Sequence, residues 1–210
     1  MSARTGHRSG SPRRIPVLLA ATAALVSLAT CRSGGPQSAA PGTGGAAAKT
    51  SSGLAAWEVV YEVLQHPRCV NCHPAGDSPL QGDESQPHVQ NVRRGADGEG
   101  RYALRCDACH QDHNLADPHL PPGAPSWHLP HPDMPLVFEG RTSGELCRQL
   151  RDPAQNGGRT PAQLERHMEL DPLVLWGWDP GPGRAPVPVP QTDFARAVRA
   201  WVAGGCDCPE

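Results

Sequence analysis

Cys69-Val70-Asn71-Cys72-His73 and Cys106-Asp107-Ala108-Cys109-His110 are two copies of one pattern, C-x-x-C-H. Any fold of this chain has to present two thiols and an imidazole within five residues, twice. That spacing is the attachment signature of c-type haem: the two sulfurs add across the vinyl groups as thioethers, and the adjacent imidazole reaches the iron as proximal ligand. One such pentapeptide is a moderate signal; two in 210 residues are a strong one. The competing use of the same residues is a zinc site with four thiolates in a tetrahedron. Both pairs are followed directly by His, and they lie further apart than in a compact zinc ribbon. Two haem c groups are therefore expected, one held by Cys69, Cys72 and His73, the other by Cys106, Cys109 and His110.

Thioether attachment takes place outside the cytoplasm, and the N-terminus agrees with that. Arg4, Arg8, Arg13 and Arg14 form a positive n-region, and Ile15 to Ala29 is an uncharged, mostly apolar h-region, too short for a membrane span. Leu28-Ala29-Thr30-Cys31 then resembles a bacterial lipobox, which makes residues 1–30 a signal peptide and Cys31 the lipidated first residue of the mature chain. Arg13-Arg14 invites a twin-arginine reading, but that route exports folded proteins, whereas haem is attached to an open chain; general secretion is the expectation. The predicted localisation is the periplasmic side of a membrane, held by the lipid anchor.

Composition fits a small exported redox domain. The leader holds four of the 19 basic residues and none of the 21 acidic ones, so the mature part is more acidic than the overall charge of −2 suggests. Lys49 is its only lysine, and no basic run points to nucleic acid as a partner. With 24 Pro and 23 Gly against two Phe and two Tyr, the chain is loop-rich and short of large core side chains. A bound macrocycle supplies that bulk, and the fold is expected to depend on it.

Residues 31–52 are small and polar and read as a flexible tether, followed by one domain over 53–210. Trp57, Val60, Tyr61 and Leu64 form a helical apolar stripe running into the first motif, and Phe194, Val198, Trp201 and Val202 form another. Thr192 or Asp193 is the expected N-cap of that last helix, and Gly204-Gly205 its stop. Between them, Thr142-Ser143-Gly144-Glu145 and Thr160-Pro161-Ala162-Gln163 match the capping box, and the second of these helices places Leu164, His167 and Met168 on one face. Residues 74–100 and 111–140 lack sustained periodicity and read as loops wrapped around a cofactor. The predicted fold class is mainly α: a loop-rich, cytochrome-c-like single domain with short helices around two c-type haems.

His73 and His110 take one axial position on each iron, and the opposite faces draw on His88, His113, His119, His128, His131, His167, Met134 and Met168. A Met sulfur raises the potential relative to a second imidazole. Met134, in a Pro-rich loop after the second motif, is favoured for one iron, and His88, His128 or His167 for the other. Of the remaining cysteines, Cys147 is expected to pair with one of Cys206 and Cys208. Trp127, Trp176 and Trp178 flank Pro-rich segments, either packing a core poor in other aromatics or shielding haem edges, with Arg184 a partner for a propionate.

Over residues 57–208 the chain resembles the bacterial cytochrome-c-like proteins known as isoquinoline 1-oxidoreductase subunits. The resemblance rests on His66-Pro67-Arg68 before the first motif and Pro74 after it, on Gln111 after the second, and on Pro121-Pro122-Gly123-Ala124-Pro125 with Trp127-His128-Leu129-Pro130. It continues through Glu145-Leu146-Cys147, Asn156-Gly157-Gly158, Trp176-Gly177-Trp178 and Cys208-Pro209. It implies a haem partner for a molybdenum hydroxylase, passing electrons to a downstream acceptor; the chain carries no pterin or iron–sulfur signature of its own. That pattern has a single Cys before the terminal Pro, which Cys208 meets and Cys206 departs from. The expected function is electron transfer by a lipid-anchored dihaem cytochrome. Its competitors are a dihaem peroxidase with an open iron position and a structural zinc lipoprotein.

Overall fold

The computed structural model describes residues 44–210. The expected leader, Cys31 and the first part of the tether lie outside them. The described chain is partly helical, with α1 at Gly44–Leu64, α2 at Pro67–Val70, α3 at Ser143–Arg151, α4 at Pro161–Leu170, α5 at Pro172–Leu175 and α6 at Gln191–Ala203. Two short antiparallel pairs lie in the long loop region: β1 (Leu80–Gln81) with β2 (Gln86–Pro87), and β3 (Gly100–Arg101) with β4 (Leu104–Arg105). Among the described residues no helix is long and apolar enough to cross a membrane.

The apolar stripes account for the core. α1 buries Trp57, Val60, Val63 and Leu64, and α6 buries Phe194, Val198 and Trp201 against them. The Trp57 and Trp201 rings lie 4.9 Å apart, and each indole N–H has a partner, Ser143 Oγ at 2.9 Å for Trp57 and the Asp207 carbonyl at 3.1 Å for Trp201. Buried indoles are accommodated without cost only when that donor is satisfied. Where the two helices meet, a Cβ on Gly204 would lie 2.9 Å from the Gly53 Cα, so the close approach requires glycine there. Tyr61, expected in the stripe, sits at its edge and donates its hydroxyl to the Arg141 carbonyl at 2.9 Å.

Three local expectations change. The tether expected to run to residue 52 gives way to helix from Gly44; Ala46, Ala47, Ala48 and Lys49 are good helix formers continuous with the apolar stripe. The stripe of α1 does not run unbroken into the first motif. α1 stops at Leu64, and Pro67, which cannot extend it, opens α2, with His66 as N-cap accepting from the Arg68 N–H through Nδ1 at 3.2 Å. α6 starts one residue earlier than Thr192, capped by the backbone of Pro190, and Asp193 falls in the first turn, where a carboxylate favours the helix dipole.

Both capping boxes are formed. Thr142 and Thr160 accept from the backbone N–H of Glu145 and Gln163, whose side chains reach back to the cap N–H groups. Thr160→Ala is expected to cost about 1 kcal/mol, read as a lower denaturation midpoint with unchanged denaturant dependence. Behind α3, Cys147 is bonded to Cys208, with Cα atoms 5.5 Å apart across 61 residues of chain. The pairing expected with one of the two C-terminal cysteines thus falls to Cys208, and Cys206 is buried as a free thiol.

Candidate haem-binding site

The first motif opens onto a cavity of about 210 Å³ between α1, α3, α4 and α6. A single water needs about 10–15 Å³ on the same measure, so the space suits a far larger group. Its walls are mostly apolar, from Leu64 of α1, Leu150 of α3, Leu164 and Met168 of α4, and Phe194 of α6. Cys69, Cys72 and His73 line it together. Burial pushes the Cys69 thiol up to about 12 and the Cys72 thiol up to about 11, the neighbouring Cys106 adding to the latter. At neutral pH both are uncharged thiols in an apolar wall.

His73 is clamped by the segment 136–139. Its Nδ1 lies 2.7 Å from the Leu136 carbonyl, its ring stacks on Phe138 at 3.8 Å and 6°, and its own carbonyl accepts from the N–H groups of Phe138 and Glu139. A carbonyl only accepts, so Nδ1 carries the proton and Nε2 keeps its lone pair, the tautomer a metal-ligating imidazole uses. Burial lowers the His73 pKa to about 4, which keeps the ring neutral. Leu136 achieves this with φ +45°, a left-handed conformation that costs a leucine about 1–2 kcal/mol. Such strain concentrates at functional sites. The segment is braced from outside by Gln65 and Gln149, whose amides donate to the Phe138 and Val137 carbonyls at 3.1 Å.

The second motif repeats the arrangement with different parts. Cys106 to Ala108 form a 3-10 turn straight after β4. His110 Nδ1 lies 2.7 Å from the Pro122 carbonyl, and the ring stacks on Trp127 at 4.3 Å and 6°. The surroundings are more polar and open, with Glu99, Asp107 and Asp112 at hand and Cys109 exposed. Burial still lowers the His110 pKa. Gly123 lets the Pro122 carbonyl reach inward: a Cβ there would lie 2.1 Å from the His113 carbonyl oxygen and 2.5 Å from that of Gln111. Gly123→Ala is expected to displace the Pro122 carbonyl and to perturb the His110 site alone, checked by a shift of the His110 ring NMR resonances with those of His73 unchanged.

The two centres are joined through side chains. Trp127 meets Trp176 edge-on at 4.9 Å, and Trp176 lines the first cavity under the Arg68 guanidinium, 5.7 Å above its ring. Asn114, which the sequence did not single out, accepts at Oδ1 from the Trp176 indole N–H and the Gly123 N–H, both at 3.1 Å, and donates to the Asp179 carbonyl. Arg94, also missed, is 2% exposed and ties the two loops together by donating to the Pro130 carbonyl at 2.6 Å and that of Gly76 at 3.1 Å.

The candidates for the opposite axial positions separate clearly. His128, His167 and Met168 line the first cavity with His73. His167 Nδ1 faces the Asp171 carboxylate at 3.1 Å, which leaves its Nε2 free; burial lowers its pKa, with Asp171 pulling the other way. His128 Nδ1 is bound by the Ser126 carbonyl. Met134, favoured from sequence, is not among the residues lining this cavity and lies half-buried beside Gly157. His113 and His131 are exposed beside Asp112 and Asp133, and His119 is exposed. His88 approaches the second motif, its ring 6.4 Å from that of His110. Arg184 does not line the cavity; its guanidinium donates to the Pro182 and Leu120 carbonyls, and its charge reaches Arg68.

Among the described residues no three His, Cys, Asp or Glu side chains gather in an arrangement that could ligate a metal ion. Searches against protein-family models, curated proteins and solved structures find no match for the chain, so the family resemblance rests on the motifs that carry it.

Proposed function

We propose that this chain is a dihaem c-type electron carrier with a cytochrome-c-like fold. The observation that carries the reading is the duplicate treatment of the two motif imidazoles. Each donates Nδ1–H to a backbone carbonyl at 2.7 Å, each lies flat on an aromatic ring, and each retains an Nε2 lone pair beside two cysteines. Two unrelated loops, around Leu136 and around Pro122, converge on the same solution. Orientation by a second hydrogen bond is the habit of ligating histidines. The residues that would hold the groups are Cys69, Cys72 and His73 at one site and Cys106, Cys109 and His110 at the other.

Haem c supplies a one-electron iron(III)/iron(II) couple at each position. The chain's own residues set its surroundings. Leu64, Leu150, Leu164 and Phe194 wall the first site with apolar side chains, and at its edge the buried Arg68 guanidinium is ion-paired with the Asp83 carboxylate and donates through Nε to the Ala185 carbonyl at 2.9 Å. The second site, bordered by Glu99, Asp107 and Asp112, stays wetter and more negative. Trp127 and Trp176 fill the space between and hold the centres at close range. Cys31 anchors the exported chain to a membrane, and the donor is a periplasmic oxidoreductase, of molybdenum-hydroxylase type by the resemblance stated above, with a downstream acceptor taking the electrons onward.

A redox titration of the holoprotein tests the reading. Two one-electron steps are expected, the more positive from the first site, because an apolar wall disfavours the more highly charged ferric state and nearby carboxylates favour it. Rapid peroxide turnover by a five-coordinate haem would instead select the peroxidase class.

A further inference from the structure

Resting on the dihaem reading and going beyond it, we propose that His88 is the second axial ligand at the Cys106–His110 centre, so that the iron there is held between two imidazoles. The spacing of the rings carries the argument. A five-membered ring with bonds of about 1.35 Å puts each nitrogen about 1.1 Å from the centroid. Imidazole nitrogen to metal bonds run about 2.0–2.1 Å, so two imidazoles on opposite sides of one ion have centroids about 6.3 Å apart. The His88 and His110 centroids are 6.4 Å apart, at an interplanar angle of 63°. Rotation about the shared axis leaves that angle free. Direct packing is the other way to explain a nearby ring, yet His110 already has a packing partner in Trp127 at 4.3 Å, well inside the His88 distance.

His88 also carries an unmet need. The Gln90 side chain lies within reach of the ring, yet His88 Nδ1 is buried without a hydrogen bond, a costly state for an imidazole nitrogen and rare in folded chains. Two protein donors are too few for a bare ion, which draws on four or more. They are the complement required when a macrocycle supplies the four equatorial nitrogens. The delivery of His88 is built into the fold. It follows β2 directly, its N–H donates to the Pro79 carbonyl at 3.2 Å, and its carbonyl accepts from Asn91 at 3.0 Å. The β1–β2 hairpin is rooted on the first motif, where Asn71 accepts from the Leu80 N–H and donates through Nδ2 to the Gly82 carbonyl. One hairpin thus links attachment at the first centre to ligation at the second.

The test uses holoprotein from a host with haem-attachment machinery, with haem counted by intact mass. Oxidised wild type should show a bis-imidazole signature in near-infrared magnetic circular dichroism; its absence overturns the proposal. Reduced His88→Ala, still carrying two haems, should bind one more equivalent of carbon monoxide than wild type, and added imidazole should reverse the change. An unchanged carbon monoxide stoichiometry overturns the proposal. His88→Met keeps a ligand in place should the alanine variant not accumulate, and one of its haems should acquire the thioether–iron charge-transfer band. A folded two-haem His88→Met protein without that band also overturns it. Wild type lacking covalent haem altogether refutes the dihaem reading itself, a result distinct from all of these.

Discussion

Replacing Cys69 and Cys72 together by alanine is expected to lower the covalently bound haem from two to one per chain and to destabilise the fold severely. The matching change at Cys106 and Cys109 should also remove one haem, but with a far smaller loss of stability. The asymmetry follows from where each motif sits. The first cavity is walled by residues from α1, α3, α4 and α6, the helices that form the core, so its filling and the core's integrity are one matter. Leaving apolar walls unpacked costs about 2–5 kcal/mol for a single large side chain. Whole-domain stabilities are about 5–15 kcal/mol, so if the proposed haem fills this cavity, its loss suffices to unfold much of the chain. The second motif lies on a 3-10 turn beside Glu99, Asp107 and Asp112, with Cys109 exposed, and little apolar surface depends on it. Haem counts and thermal unfolding of the two double variants check the pair of expectations. Equal destabilisation would contradict the assignment of the core to the first site.

Cys147→Ala is expected to lower stability by about 4 kcal/mol, from the chain entropy that a closed loop of 61 residues removes from the unfolded state. The bond ties α3 to the segment beyond α6, and Arg148 strengthens the same junction by donating to the Pro209 carbonyl at 3.0 Å. Cys147 is the position to change. In a Cys208→Ala variant the buried thiol of Cys206, two residues away, is available as a substitute partner, whereas removing Cys147 leaves no such exchange. Equilibrium unfolding with and without reductant gives the readout. Wild type should fall to the Cys147→Ala midpoint when reduced, and the variant should not respond. A variant as stable as oxidised wild type would contradict the role given to the bond.

What could be read in advance was local. The two pentapeptides, the Trp57–Leu64 and Phe194–Val202 stripes and the capping boxes at Thr142 and Thr160 are decided within a few residues, where spacing maps directly onto geometry. The break between α1 and α2 was written in Pro67, although the stripe running up to it masked the stop. The second half of each site was not legible, because it comes from distant loops and from backbone atoms. Nothing in a leucine's identity announces that the Leu136 carbonyl will accept a hydrogen bond from His73 Nδ1–H, since that depends on a positive φ imposed by the surrounding contacts. The Pro122 carbonyl was closer to legible, as Gly123 after two prolines marks a place where backbones crowd. Met134 drew notice for its position after the second motif, the usual place of a distal Met. The fold puts Met168 and His167 in the cavity instead, because α4 turns the face carrying both toward it. His88 was one of several histidines in an irregular stretch, and only the short β1–β2 pair brings its ring to His110.

In the proposed carrier both C-x-x-C-H segments hold haem through their sulfurs. Intact mass and a reduced pyridine haemochrome spectrum of the mature protein, made in a host that attaches haem c, test this directly. The expected result is a polypeptide heavier by two haem groups, with the spectrum of thioether-linked haem and no free thiol at Cys69, Cys72, Cys106 or Cys109. A colourless chain of unmodified mass with those four thiols free would contradict it.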